Sequence, residues 1–175
     1  EECSILYNSV TSKIIDNVTE AIGDSVVEEI TIIAPFYDTE GNALTELQKR
    51  FRPSRMNCVL DLERQSAPFV LLESNTDIAF FKHSAPNPLH AKIIEFISSN
   101  GTWLLSGSAN AGSMALGLND SVFNDETCVL IHNIGRKNYI EELGIQYEPL
   151  NADDRKSIER PKQNSSELST IKTTL

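Results

Sequence analysis

Long apolar runs and basic residues are both scarce in this sequence, and each scarcity excludes a class of protein. A membrane-spanning helix needs about 20 apolar residues, and no apolar run in this sequence approaches that length. The chain has 15 Lys and Arg against 25 Asp and Glu, which gives a formal net charge of -10. A chain this acidic is a poor match to a polyanion held across a broad basic face. Any site for phosphate must therefore be local.

Cysteines are also few and widely spaced. The 3 cysteines are Cys3, Cys58 and Cys128, and the last two lie in apolar, strand-like stretches where a thiol behaves as a small buried hydrophobe. The sequence has no C-x-x-C pair and no cluster of His with Cys, which are the usual ligands of structural zinc. We therefore expect neither a disulfide framework nor a metal or other cofactor.

The composition that remains is typical of one folded domain. Of the 175 residues, 40% are hydrophobic and 23% are charged, as in ordinary globular proteins. The first residues, EECSILYN, contain no starting methionine and no basic-then-apolar leader. We expect a cytoplasmic protein from which a leader was removed or whose sequence is a piece of a longer chain, and we favour the second.

The first half of the sequence alternates helical and strand patterns. Apolar residues recur at helical spacing between about 9 and 22, up to Gly23, and again through Leu44, Leu47 and Phe51. EEITIIAPF and MNCVLDL, on either side of the second helix, are typical of buried strands. A strand, a helix and a strand in this order favour a right-handed crossover. We therefore predict an α/β fold with a largely parallel mixed sheet and helices on both faces.

The second half continues the sheet. IAFFKH, LHAKIIEFI, TWLLSGS and ETCVLIH have the pattern of strands, and the turn SSNG joins the middle two into a hairpin. Short helices are predicted from Gly112 to Leu118 and over KNYIEELG. From about Asn151 onward the chain is polar and has no long apolar period. We predict a domain over residues 1–150 and a polar linker or tail over residues 151–175, with a missing second half as one continuation.

His90 and Lys92 form the most informative pair in the sequence. Side chains alternate between the faces of a strand, so these two project to one side while Leu89, Ala91 and Ile93 turn to the other. An imidazole can attack phosphorus or transfer a proton, and a neighbouring ammonium neutralises phosphoryl oxygens that gain charge in the transition state. The pair therefore suits phosphodiester chemistry.

The hairpin returns through TWLLSGSAN and brings further polar residues to the same end of the sheet. Ser108 and Asn110 offer donors to an anion where the strand ends, and Gly107 permits close approach. Glu126 begins the next strand, where its carboxylate can accept the Nδ1 proton of His90 and leave Nε2 as the nucleophile. The sequence thus predicts one pocket shared by His90, Lys92, Asn110 and Glu126.

Each residue taken alone has a structural interpretation. A single histidine in a strand is more often structural, and we assign that role to His83 and His132. Lys92 alone is typical of an edge strand, G-S-x-N of a turn, and Glu126 of a solvated charge. Four aromatic residues within apolar strand patterns are predicted to lie in the core rather than to stack bases: Phe80, Phe81, Phe96 and Trp103. Only the order and spacing of the polar residues favour a site.

HAK, followed by GSAN and a downstream glutamate, resembles the histidine-lysine motif of the phospholipase D superfamily, in its bacterial nuclease and helicase-associated type. The superfamily pattern is H-x-K, four residues, an aspartate and then G-S-x-N, and a looser resemblance extends over residues 5–150. The resemblance implies that His90 is the nucleophile or its general-acid counterpart and that Lys92 and Asn110 bind phosphate. It also implies that Ser108 is a supporting donor and that Glu126 orients the histidine.

The superfamily builds its active site from two such motifs, and this sequence contains one. The resemblance therefore implies that the partner motif comes from a twofold-related copy or from a second half. It implies a metal-independent phosphodiesterase that forms a phosphohistidine and acts on nucleic acid rather than lipid, with no membrane insertion. The alternative is a degenerate module that binds phosphate, or a partner domain such as a helicase, without turnover. Ile97 occupies the position of the superfamily's aspartate and favours that alternative.

Overall fold

A single sheet lies at the centre of the protein, whose computed structural model describes residues 1–64, 67–73, 77–119 and 122–158. The strands are β1 (Glu2–Tyr7), β2 (Val27–Ile33), β3 (Arg55–Leu60), β4 (Ile78–His83), β5 (Ile93–Ser98), β6 (Gly101–Gly107), β7 (Thr127–Asn133) and β8 (Tyr147–Pro149). They are hydrogen-bonded in the order β1-β7-β6-β5-β2-β3-β4-β8.

Helices cover both faces of this sheet, as predicted. They are α1 (Ile14–Ile22), α2 (Asn42–Phe51), α3 (Phe69–Glu73), α4 (Ser113–Leu116), α5 (Tyr139–Glu142) and α6 (Ala152–Ser157), with a 3₁₀ turn over Leu62–Arg64. The larger apolar cluster lies between the sheet and α1, α2, α3 and α4. The smaller cluster lies on the opposite face, where Tyr139 and Ile140 of α5 pack against alternate strand residues. In the described part of the chain, no helix is long and apolar enough to cross a membrane.

The α/β class and the mixed sheet are confirmed, but parallel pairing is less extensive than predicted. Among the strand pairs of the described residues, β2–β3 and β3–β4 are parallel. The remaining neighbours pair antiparallel. The crossover connections on either side of β3 permit parallel pairing, whereas the tight turn between β5 and β6 requires antiparallel strands. The hairpin then adds to β2 on one side and to β7 on the other.

Helix α1 begins later than the sequence suggested. The side-chain oxygen of Asn8 accepts a hydrogen bond from the backbone N–H of Ile14, where the helix begins, at 3.0 Å. The amide nitrogen of the same buried side chain donates to the carbonyl of Ala115, at 2.8 Å. Asn8 thereby ties the end of β1 to both α1 and α4.

The aromatic and cysteine predictions for the core are confirmed in part. Phe80, Phe96 and Trp103 are buried, whereas Phe81 is half-buried against the smaller cluster. Cys58 and Cys128 are buried, and burial raises the pKa of both thiols. These residues therefore serve packing, since a buried thiol with a raised pKa is a poor nucleophile.

The beginning of the polar tail forms the short helix α6. Asn151 caps it by accepting hydrogen bonds from the backbone N–H groups of Asp153 and Asp154, and Asp154 also accepts a hydrogen bond from Lys82, at 2.9 Å. Residues 159–175 of the predicted linker lie outside the described residues. The domain boundary at residue 150 stays a prediction.

Candidate active site

The H-x-K segment enters β5 with the alternation that the sequence predicted. Leu89 and Ile93 are buried in the smaller apolar cluster, and Ala91 packs against them. His90 is exposed and Lys92 is half-buried. The two apolar neighbours therefore anchor the segment and turn His90 and Lys92 to the other side. The structure begins β5 at Ile93, so the pair lies just before the strand rather than within it.

A backbone hydrogen bond joins this segment to the G-S-x-N loop. The N–H of Gly107 donates to the carbonyl oxygen of Lys92, at 3.3 Å, and extends the β5–β6 hairpin by one step. The Lys92 ammonium donates to the carbonyl oxygen of His90, at 3.3 Å. No carboxylate among the described residues forms an ion pair with Lys92. The ammonium therefore keeps its charge available to an anion at this edge of the sheet.

Gly107 is required by the close approach of β6 to β7. A Cβ atom built on it would lie 2.6 Å from the Cα of Cys128 and would also meet the carbonyl oxygen of Thr127. Both obstacles are backbone atoms, which cannot move aside as a flexible side chain can. From the sequence we predicted that Gly107 contributes to substrate binding. Its close backbone contacts give a structural reason for a glycine at this position.

We expect Gly107→Ala to lower the free energy of unfolding by about 1–3 kcal/mol, because the added methyl group must push β6 away from β7. Urea denaturation measures this loss. Gly112→Ala is the matched control, since Gly112 has an extended backbone with φ -131° and a Cβ there would meet no atom within 4 Å. Equal losses in the two variants would contradict the packing argument.

Ser108, Glu126 and Asn124 form a hydrogen-bonded group beside the motif. The Ser108 hydroxyl donates to the Glu126 carboxylate and also accepts from the N–H of Thr127, at 3.0 Å. The side-chain amide of Asn124 donates to the other carboxylate oxygen, at 3.3 Å. These contacts fix the Glu126 carboxylate at the start of β7. Across the part of the chain that is described, the His90 ring makes no hydrogen bond, so its orientation by Glu126 stays a prediction.

Asn110 faces a cavity of about 370 Å³ between the β2–α2 loop and the β6–α4 loop. Its side-chain oxygen is buried and has no hydrogen-bond partner among the described residues. A parallel bridge between Tyr37 and Ala111 joins the two loops. We call this space the Asp38 cavity, after the carboxylate that lines it. The common pocket predicted for Asn110 and His90 stays a prediction.

Sequence reasoning missed the role of Asp38. One of its oxygens accepts hydrogen bonds from the N–H of Ala43, at 3.1 Å, and from the N–H and hydroxyl of Ser113, at 3.1 and 2.9 Å. The residue therefore caps the first turns of both α2 and α4. The position of this aspartate between a predicted strand and a predicted helix could have indicated a helix cap. Its hydrogen bond to Ser113 could not be predicted from the local sequence. Asn124 lies in an irregular loop and gave no signal.

The acidic residue near the position of the motif aspartate belongs to the other face of the sheet. Glu95 is buried and accepts a hydrogen bond from the N–H of Tyr139, at 2.6 Å, where α5 begins. Burial raises its pKa, against the lowering effect of the N–H groups of Tyr139 and Ile140. Glu95 therefore holds α5 against the sheet, and Ile97, two residues on, is buried.

The other two histidines lie in strands. The His132 ring stacks on Trp103 with 4.4 Å between ring centroids, and His83 ends β4, where it pairs with Tyr147 of β8. Residues 1–64, 67–73, 77–119 and 122–158 contain no group of three or more His, Cys, Asp or Glu side chains placed to hold a metal ion. His90, by contrast, belongs to the segment that is hydrogen-bonded to the G-S-x-N loop through the carbonyl oxygen of Lys92.

Comparison with known structures identifies the fold. Nuc from Salmonella typhimurium, a phospholipase D family member, is similar with a TM-score of 0.52 and 22% identity, over 76% of this chain and 84% of Nuc. NucT from Helicobacter pylori has a TM-score of 0.45 and 12% identity, over 74% of this chain and 84% of NucT. Yeast tyrosyl-DNA phosphodiesterase has a TM-score of 0.46 and 12% identity, over 74% of this chain and 32% of that enzyme.

The similarity to Nuc is the one on which the assignment rests. No protein-family model matches the sequence, and no curated protein does. The chain spans most of Nuc but only about a third of the yeast enzyme. At 22% identity the resemblance to Nuc concerns the backbone. The arrangement of strands and helices is therefore similar to that of Nuc, a phospholipase D family member, and this similarity concerns the fold.

Proposed function

We propose that this protein is a phosphodiesterase that hydrolyses its substrate through a phosphohistidine at His90. The observation that carries the proposal is the exposed His90 two residues from Lys92, whose ammonium forms no ion pair with a described carboxylate and which lies within one hairpin step of the G-S-x-N loop. A nucleophile must be reachable by substrate, and a phosphoryl group needs a cation close to it. Both conditions are met at this edge of the sheet.

The reaction takes place in two steps. Nε2 of His90 attacks phosphorus and forms a P–N bond while the P–O bond to the leaving group breaks, and the leaving oxygen takes a proton from an acid on the far side. Water then attacks phosphorus and gives a proton to the far-side group, which is now a base, while the P–N bond breaks and the imidazole is restored. The Lys92 ammonium neutralises the charge on the phosphoryl oxygens in both steps, and the side-chain N–H of Asn110 orients them by a hydrogen bond.

Glu126 orients the His90 ring in this proposal. Ser108 has a supporting role. Ser108 and Asn124 hold the Glu126 carboxylate in place. A carboxylate that accepts the Nδ1 proton fixes the tautomer with Nε2 free, which is the form that attacks phosphorus. Rotation of the exposed His90 ring toward Glu126 when substrate binds completes the arrangement.

The far-side acid comes from a second motif. A twofold-related copy of the chain supplies a second His90, or a second half of a longer protein supplies its counterpart. Nucleic acid is the proposed substrate class, because the motif resembles that of bacterial nuclease-type members more than that of lipid-hydrolysing ones. The net charge of -10 restricts the contact to a local site rather than a broad basic face.

A second candidate function is binding without turnover. Ile97 is buried where the superfamily pattern has an aspartate, and Glu95 is committed to α5. A phosphate-binding module that holds a partner domain, such as a helicase, would retain the fold and lose the reaction. Such a module would bind phosphate but would not cleave a diester, so the assay below separates the two functions.

We expect cleavage of bis-p-nitrophenyl phosphate to persist within about twofold when a chelator is added, because His90 and Lys92 supply what other nucleases draw from a divalent metal. Release of p-nitrophenol in EDTA and in added magnesium or zinc measures it. Activity that disappears in EDTA and returns with the metal would contradict the mechanism. Absence of cleavage in every condition, with phosphate binding intact, would favour the module.

A further inference from the structure

Two side-chain oxygens on residues that line the Asp38 cavity have no hydrogen-bond partner among the described residues. They are the second carboxylate oxygen of Asp38 and the side-chain oxygen of Asn110, and both atoms are buried. The first oxygen of Asp38 already accepts three hydrogen bonds, which orient the carboxylate. A buried acceptor without a donor is costly, so the cavity is suited to a ligand with N–H groups. A carboxylate in the wall also repels phosphate.

The remaining walls of the cavity are mostly apolar. Phe36 is 43% exposed and Met114 is 48% exposed, although both are large hydrophobic residues, and the buried residues Tyr37 and Ala115 also line the cavity. An accessible aromatic ring and a thioether are good partners for the face of a planar ring. The cavity therefore combines two flat-ring contacts with acceptors for N–H donors.

The cavity adjoins the proposed reaction site through two shared residues. Asn110 belongs to the G-S-x-N loop, and Asn124 lines the cavity while its side-chain amide donates to Glu126. A group bound there would thus lie beside the phosphodiester that His90 attacks. In a nucleic acid, the nearest planar group with N–H donors is a base next to the scissile phosphate.

We propose that the Asp38 cavity is a base subsite of a nucleic-acid substrate and that it prefers guanine. This proposal rests on the proposed function. Guanine carries a ring N–H and an exocyclic amino group on one edge, so it offers two donors to the two acceptors of Asp38 and Asn110. Uracil and thymine present one N–H between two carbonyl oxygens, which the Asp38 carboxylate repels. Phe36 and Met114 contact the faces of the bound ring.

Isothermal titration calorimetry of the full chain tests this preference with four probes: guanosine, inosine and uridine monophosphates, and inorganic phosphate. We expect guanosine monophosphate to bind about tenfold or more tightly than uridine monophosphate, since one well-made base contact discriminates by this order. Inosine monophosphate lacks the exocyclic amino group and should lie between them. Inorganic phosphate reports the phosphate site alone.

Two variants distinguish the subsite from the phosphate site. Asp38→Asn retains an oxygen that can cap α2 and α4 but places an amide donor in the cavity, so uridine monophosphate should bind at least as tightly as the guanosine nucleotide. Phe36→Ala should weaken all three nucleotides and leave inorganic phosphate unchanged, because Phe36 contacts only the ring. Ile134→Ala, a change at a residue that is 74% exposed elsewhere, should alter none of them. Thermal denaturation checks that each variant is folded.

The outcomes separate this proposal from the proposed function. Equal affinity of the wild-type chain for the guanosine and uridine nucleotides would overturn the subsite, and so would an unchanged guanosine affinity in a folded Phe36→Ala variant. Neither result would affect diester cleavage by His90. Conversely, a guanosine preference that is lost in Asp38→Asn, in a chain that cleaves no diester, would support the subsite and overturn the reaction.

Discussion

His90→Ala should reduce diester hydrolysis by at least about a thousand-fold, because it removes the atom that forms the covalent bond to phosphorus. His90 is exposed and packs in neither apolar cluster, so its truncation should leave the fold intact. Initial rates of p-nitrophenol release at saturating substrate measure the effect. Circular dichroism and thermal denaturation show whether the variant is folded.

His83→Ala is the matched control for His90→Ala. His83 is half-buried at the end of β4 and pairs with Tyr147 of β8, so its removal should change the rate little. His132→Ala should also retain activity, although it gives up the stacking on Trp103 and some stability with it. Equal loss of activity in the three folded variants would contradict a specific role for His90.

The covalent step gives His90 a readout that a structural residue would not have. A diester whose phosphohistidine intermediate hydrolyses slowly should leave one phosphoryl adduct on the wild-type chain. The adduct should be detectable as an increase in intact mass and should lie on the peptide that contains His90. The adduct should be absent from His90→Ala. An adduct on another residue would show that the proposed nucleophile is wrong, whatever the rate of the variant.

The parts of the fold that sequence could predict are those set by local periodicity. The apolar stripes of α1 and α2, and the buried strands β2 and β3, repeat at short spacing, and each appears in the structure within a few residues of its prediction. The edge strands β1 and β8 were not predicted from the sequence, because most side chains of β1 are exposed and β8 has only 3 residues. Their pairing depends on strands distant in sequence, β7 and β4.

The candidate site also has features that the local sequence predicts and features that depend on contacts between distant residues. The alternation of His90 and Lys92 with Leu89 and Ile93 follows from the two-residue period of an extended chain, and it was predictable. The contact of Asp38 with Ser113 joins residues 75 positions apart, and no local pattern carries that information. Asp38 and Asn110 line one cavity because the β2–α2 and β6–α4 loops meet, so the base subsite could be proposed only from the structure.

Turnover by this chain should require two copies of the motif at one site. In-line displacement places the leaving oxygen opposite the attacking nitrogen, so one imidazole cannot both attack phosphorus and protonate the leaving group in the same step. Neither other histidine offers the missing acid, since His132 is stacked on Trp103 and His83 lies in β4. A second His90, from a twofold-related chain, would place an acid opposite the attacking nitrogen. The two motifs at the site would then be identical.

Sedimentation equilibrium and diesterase assays over a dilution series test this requirement. If the chain is active as a twofold dimer, its specific activity should fall as the dimer dissociates. Mixing equal amounts of wild-type and His90→Ala chains, at fixed total concentration, should leave about a quarter of the wild-type activity, because only one pairing in four contains two intact rings. Independent sites would instead leave about half of it.

A monomeric chain would distinguish the remaining arrangements. If the second motif comes from another half of a longer protein, the isolated monomer should bind inorganic phosphate through Lys92 and Asn110 but release no p-nitrophenol. Adding that half in trans should then restore cleavage, and His90→Ala should prevent the restoration. Full activity in a strictly monomeric sample, with a rate per molecule independent of concentration, would show that one motif suffices. The leaving oxygen would then have to receive its proton from water or from a side chain of this chain other than His90.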